Sequence, residues 1–186
     1  LLGDNLERTT QGGGIYTYTS QQGAAAFRDT GSFDAAGSLS QENAEAFCRD
    51  FCKAFSYDTP IFTLDETGSG TATAVRLWNG TPVFNAAVTF TIDQGRVLSA
   101  SGALLPETGA ETSSGQKPLS AFAALTAFQQ MRHASSSVVS SITEVSLCYE
   151  LQSTTAAPMA LVPSWRIVTD TATFYVNCIS GTVRRA

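Results

Sequence analysis

Two stretches of this chain, eighty residues apart, follow one plan. Leu39-Ser40 opens the helical pattern SLSQENAEAFCRDFCKAF, and Leu119-Ser120 opens PLSAFAALTAFQQMR. Ala44 and Ala124 then fall in register, as do Phe51 and Met131. Strand-like runs follow each helix, and the blocks close alike, on FTIDQGRV at 90–97 and FYVNCISGTV at 174–183. Self-similarity at a fixed period restricts the fold to copies of one supersecondary unit packed together. The fold class expected is α+β: tandem duplicated units, each a helix packed on an antiparallel β-sheet. The alternative is two ordinary α+β segments that share a turn vocabulary.

The chain divides accordingly. Residues 1–38 read as a polar leader, ending in Gly12-Gly13-Gly14, followed by a β-hairpin or small meander that begins with Ile15, Tyr16, Thr17 and Tyr18. Residues 39–105 form the first unit. Its helix is capped by Ser40, carries apolar positions 44, 47, 48, 51, 52 and 55, and stops before Pro60. Strands are expected at 61–65, 71–78, 83–92 and 96–101, with a bulge at Asn85-Ala86-Ala87. Asn79-Gly80 is the strongest hairpin signal, since a type I′ turn needs positive φ at both central residues. Residues 106–118, rich in Pro, Gly, Ser and Thr, are the expected linker. Residues 119–186 form the second unit. Ser120 caps its helix, Ala124, Leu125, Phe128 and Met131 make the buried stripe, and strands are expected at 142–151, 165–168, 173–177 and 182–185, with 160–163 as a lead-in.

Composition excludes several partners and compartments. Hydrophobic residues are 43% of the 186 and charged residues only 15%, enough for a core and too little charge for disorder. A net charge of −5 repels phosphate backbones, so nucleic acid is not an expected partner. No run reaches the roughly 18 apolar residues of a membrane-spanning helix. The chain opens at Leu1 without an initiator Met, as expected of a processed form from which a signal peptide or anchor has been removed. Cys48 and Cys52 sit one helical turn apart, about 6 Å between Cβ atoms, too far for an unstrained disulfide. They read as buried free thiols. Whether Cys148 and Cys178 pair is left open.

Residues for chemistry are scarce. His133, at the end of the second helix, has no neighbouring ligand at metal spacing. No nucleophile elbow, phosphate loop or dinucleotide fingerprint is present. Asp65-Glu66 are adjacent at a strand end and do not read as a convergent acid/base pair. No catalytic, cofactor-binding or metal residue is therefore expected, and no cofactor. Trp78 and Trp165 read either as seals of the helix–sheet core or as exposed anchors for a partner, with the core preferred. Pro163 is expected to aim Trp165 at Leu125 and Phe128. Tyr16 and Tyr18 share a face and read either as a sheet edge offered to a partner strand or as a half-buried hairpin.

The second unit also carries a phrase with a family look. LVPSWRI at 161–167 followed by TFYVNCISGTV at 173–183 resembles the end of PepSY-like domains, closest to the YycI and YycH type of extracytoplasmic regulator of Gram-positive bacteria. Pro163, Trp165, Tyr175, Asn177 and Gly181 carry the match. In the first unit Trp78, Phe90, Asp93 and Gly95 keep the pattern more loosely. Cys178 departs, standing where the family has a small residue. The resemblance implies a non-catalytic protein outside the cytoplasmic membrane, anchored by a segment absent from this chain or secreted. It further implies a sensor histidine kinase of a two-component system, or a related regulator, as partner. A peptidase-inhibitor or propeptide-like domain, or a small-ligand or cell-wall binding module, is the alternative. The face that binds the partner is not legible.

Overall fold

The computed structural model describes residues 1–37, 43–106, 117–135, 138–153 and 159–186. Four strands open the chain: β1 (Glu7–Gln11), β2 (Ile15–Thr19), β3 (Gly23–Arg28) and β4 (Ser32–Gly37). Helix α1 (Ala44–Ala54) leads into β5 (Ile61–Leu64), β6 (Gly70–Trp78), β7 (Thr81–Asp93) and β8 (Arg96–Ala103). Helix α2 (Ala121–Ala134) leads into β9 (Ile142–Gln152), β10 (Ala160–Thr169), β11 (Thr173–Asn177) and β12 (Val183–Arg185). The same order, a helix and then a four-stranded antiparallel meander, thus occurs twice. FTIDQGRV and FYVNCISGTV both fall at the turn from third to fourth strand of their meander. All strands join one mixed sheet, in the order β1-β2-β3-β4-β8-β7-β9-β10-β11-β12, with β6 and β5 on the other edge of β7.

Local chemistry explains the turns. Asn79 and Gly80 have φ of 48° and 77° between the paired Trp78 and Thr81. Gln94 and Gly95 repeat that geometry, at 48° and 75°, between Asp93 and Arg96. Both are two-residue hairpins that match the strand twist. Cap positions differ between the helices. Ser120 caps α2 as expected, its Oγ accepting from the Ala123 N–H at 3.3 Å. For α1 the cap is Asn43, whose Oδ1 accepts from the Ala46 N–H at 3.1 Å. Ser40 lies outside the described residues, as does most of the 106–118 linker.

Helix α1 packs over β4, β6, β7 and β8, and helix α2 over β10, β11 and β12. Under α1 the core is Phe33, Cys48, Cys52, Ala72, Val88, Phe90 and Ile92. Under α2 it is Ala124, Phe128, Ile167, Phe174 and Val176. A third, smaller cluster of Val83, Ala86 and Leu105, flanked by Trp78 and Tyr149, sits at the seam between the meanders. There β7 and β9 meet in parallel through one register pair, Val83↔Tyr149.

Three expectations need correction. Residues 1–14 are not a free leader. Residues 7–11 form β1, paired with β2 over five positions, and Leu1 packs against the first core. A polar strand still pairs when a glycine turn brings it alongside a neighbour. The division between 1–38 and 39–105 is one of chain, not of sheet, because β4 pairs with β8. Lastly, β10 runs unbroken through Pro163, where a lead-in and a separate strand were expected. The Pro163 carbonyl accepts from the Cys178 N–H at 2.8 Å, just past the end of β11. In an antiparallel strand the N–H and C=O of one residue face the same neighbour. An N–H at 163 would face the Cys178 carbonyl, which instead accepts from the Leu119 N–H at 2.8 Å, so the proline leaves no acceptor unpaired and the strand tolerates it.

Candidate functional site

The helix-facing side of the sheet is covered by α1 over β4, β8, β7 and β6, but the meander extends beyond the helix. Tyr16 and Tyr18 on β2 lie in register with Phe27 and Ala25 on β3, and Phe27 in turn with Phe33 on β4. Register partners point to the same face. An aromatic line therefore leaves the core and runs out into the open. Phe90 meets Phe51 edge-on at 5.3 Å, Phe51 meets Phe33 at 6.1 Å, Phe33 stacks on Phe27 at 5.9 Å, and Phe27 meets Tyr18 edge-on at 5.6 Å. Inside the core such contacts fill space. At the outer end they line a groove of about 450 Å³, walled by Leu2, Leu6, Arg8, Tyr16, Tyr18 and Phe27. The first residues close one side of it, held where the Ser20 hydroxyl donates to the Leu2 carbonyl.

Arg8 is the charged member of this wall. Its guanidinium lies 5.0 Å from the centre of the Tyr16 ring. Among the described residues no carboxylate is within ion-pair distance of it, whereas Arg28, Arg49, Arg166 and Arg184 each have one. Beside the groove, among the described residues, β1 pairs with β2 alone and leaves its other edge open. Of the two alternatives for Tyr16 and Tyr18, the half-buried hairpin holds. They are half-buried, on an interior strand, and the edge belongs to β1.

A second hollow, about 230 Å³, lies on the opposite face of the second meander, lined by Glu150, Gln152, Tyr175, Asn177, Ser180, Thr182 and Arg184. Its charges are already spent. Arg184 pairs with Glu150 at 2.7 Å and lies over both Phe84 and Tyr175, which stack at 3.6 Å between centroids. Asn177 Oδ1 accepts from the Ile179 and Ser180 N–H groups of the turn. This cluster ties Phe84 of the first meander to the second. Asn85 does the same by hydrogen bonds. Its side-chain amide donates to the Leu151 carbonyl and its Oδ1 accepts from the Leu151 N–H, both at 2.7 Å. Both residues are free to do so because β7 bulges there: Val75 pairs with Ala87, but Arg76 pairs with Val83.

The residues weighed for chemistry sit apart. Asp65 organises a turn, accepting from Thr67 Oγ1 at 2.7 Å and from the Thr67 and Ser69 N–H groups. The Thr67 hydroxyl and those amides hold its carboxyl below the usual range. His133 is exposed in the last turn of α2, its Nε2 3.4 Å from Gln129 Nε2. Trp165 is half-buried in the cluster that contains Leu125 and Phe128, and its Nε1 donates to the Leu119 carbonyl at 2.9 Å. Trp78 packs at the seam. All four cysteines are free and buried. Burial pushes the Cys48 and Cys148 thiols up to about 12 and Cys52 to about 11. The groove was missed in the sequence because Leu2, Leu6 and Arg8 had been assigned to a leader. The strand is polar throughout, ERTTQ at 7–11, and carries no alternation that would have signalled it.

No protein-family model matches the chain, and no curated protein matches it. Solved structures do. An uncharacterized protein from Eubacterium rectale is similar at 14% identity and a TM-score of 0.52, over 97% of this chain and 71% of that one. The Bacillus megaterium YpeB C-terminal domain is similar at 12% identity and a TM-score of 0.46, over 97% of this chain and 88% of that one. The Eubacterium protein shares the overall fold of this chain: two helices on a large mixed α+β sheet.

Proposed function

We propose that this chain is a non-catalytic, PepSY-like binding protein of duplicated build that acts outside the cytoplasmic membrane by holding a segment of a membrane sensor histidine kinase. The observation that carries the reading is the uncovered groove at 16, 18 and 27, lying beside an open strand edge. Apolar surface of this kind is costly to expose and is a mark of association. The repeated helix-and-meander order and the phrase around Trp165 support the PepSY-like, duplicated part. Buried thiols, kept protonated by desolvation, are compatible with an oxidising compartment because the thiolate is the reactive form. No described helix is long and apolar enough to cross a membrane.

The test uses a sensor kinase of the same organism reconstituted in vesicles. The chain, added on the sensor side, changes the autophosphorylation rate, and Tyr16→Ala, which removes a groove-wall ring and spares the Tyr18–Phe27 contact, loses that effect while the variant stays folded at the assay temperature. An unchanged rate with no measurable binding sinks the kinase reading. Inhibition of a secreted peptidase in a parallel assay moves the protein to the inhibitor class instead.

A further inference from the structure

Among the described residues the sheet has three open edges, and they are not equivalent. β12 is three residues long and ends in Arg184 and Arg185, of which Arg184 is engaged by Glu150. β5 is four residues long, follows Pro60, and does not line the groove. β1 offers five residues beside the groove.

The direction in which β1 presents its backbone follows from two bonds. The Asp29 N–H donates to the Gly14 carbonyl at 3.1 Å, and the Ser20 N–H donates to the Gly23 carbonyl at 2.9 Å. Opposite residues in an antiparallel pair alternate between bonded and non-bonded. Counting from both ends, Tyr16 and Tyr18 bond toward β3, and Ile15, Thr17 and Thr19 bond toward β1. Thr17 pairs with Thr9, so Thr9 bonds inward. Arg8 and Thr10 therefore turn their N–H and C=O groups outward, to the open edge. These same residues are in register with Tyr18 and Tyr16 and so set their side chains on the groove face. One strand thus offers outward backbone, an apolar floor and a cation without a carboxylate partner.

Building on the binding-protein reading above, we propose that β1 receives an extended segment of the partner protein as an added strand. Apolar side chains of that segment, on either side of an acidic residue at two-residue spacing, enter the groove beside Leu6 and Tyr16, and the carboxylate meets Arg8. Strand addition supplies affinity through main-chain bonds and specificity through alternate side chains. Charge complementarity chooses the acidic residue. A lone cation over an aromatic ring in an apolar wall attracts a carboxylate and rejects an ammonium group.

The probe is a labelled, Thr-rich peptide carrying Leu, Glu and Leu at alternate positions, with a counterpart bearing Lys for Glu. The intact chain binds the Glu peptide about three- to tenfold more tightly than the Lys peptide, and Arg8→Glu inverts the preference. Thr10→Pro removes an outward donor while leaving the β1–β2 bonds in place. It weakens binding roughly tenfold, one hydrogen bond plus steric exclusion of the added strand, with the melting temperature held. In the unmodified chain the Arg8 and Thr10 amides gain hydrogen-exchange protection on binding, and Thr9 does not. Equal affinity for the two peptides, full binding by a folded Thr10→Pro variant, or no protection at Arg8 and Thr10 overturns strand addition. Kinase modulation that survives Thr10→Pro overturns only this inference. Peptide binding without any effect on the kinase overturns only the partner named above.

Discussion

The two meanders differ in what their helices leave uncovered. Under helix α2, Ile167, Phe174 and Val176 are buried and Trp165 bonds to Leu119, while Leu147, in register with Trp165 on β9, is 43% exposed. Helix α1 is shorter, eleven residues against fourteen, yet its sheet is wider, because β4 continues β8 into three further strands. Past α2 the face ends on an aliphatic margin at Leu147, whereas past α1 an aromatic line runs on into the groove. An apolar face extended past its cover is the physical origin of the candidate site.

The comparison can be broken at its cores first. Phe90 is fully buried under α1, and Phe128, on the inner face of α2, is 1% exposed. Truncating either to Ala is expected to cost about 3–5 kcal/mol, lost burial plus a cavity. If the seam couples the units, each substitution lowers one shared unfolding transition in calorimetry. Two separate transitions, with each variant moving only its own, would show that the units are independent.

Trp165→Ala comes next. A fully buried indole would lose about 3–5 kcal/mol, and this one is half-buried, so about 2–3 kcal/mol is expected by chemical denaturation. A loss below about 0.5 kcal/mol, the ordinary range for surface changes, would return Trp165 to the role of exposed anchor. Asn85→Ala removes two hydrogen bonds across the seam, and about 1–2 kcal/mol is expected. If the variant matches the parent in stability, the seam rests on Phe84, Tyr175 and Arg184 rather than on the amide.

The smallest effect is alkaline. Cys48, Cys52 and Cys148 titrate above the ordinary 9.0 when folded, at about 12, 11 and 12. Above pH 9 the unfolded chain loses thiol protons that the folded chain retains, so stability falls with rising pH through that window. Below pH 9 these groups contribute no slope. Labelling by a bulky thiol reagent near neutral pH should be slow at all four cysteines until the chain unfolds. Rapid modification of Cys48 or Cys52 in the folded state would contradict their place under α1.

Much of this architecture was legible because short-range chemistry determines it. Asn79-Gly80, Asp93-Gln94-Gly95 and Ser120 act within a few residues, and each does what its type dictates. The bulge near Asn85 was legible too, since small residues interrupt an alternating run. What escaped was non-local. β1 is polar throughout, so no alternation of core residues announced it, and its strand character comes from pairing with β2. Pro163 misled for the converse reason: its local effect is strong, but the carbonyl its missing N–H would have met, that of Cys178, is taken by Leu119 from the distant start of α2. The groove needed both facts at once, a strand where a leader was read and a helix too short to cover it.

The seam has a consequence for how the chain assembles. Hairpin turns such as Asn79-Gly80 close loops of two residues, whereas Asn85 and Leu151 are 66 residues apart. Loop-closure entropy grows with separation, and long-range pairing is slow. On a ribosome the first meander can therefore zip while the second is still being made. Joining them is then a late event, absent from the rate-limiting barrier. Kinetically, Asn85→Ala should speed unfolding and leave refolding almost unchanged, the signature of contacts formed after the transition state.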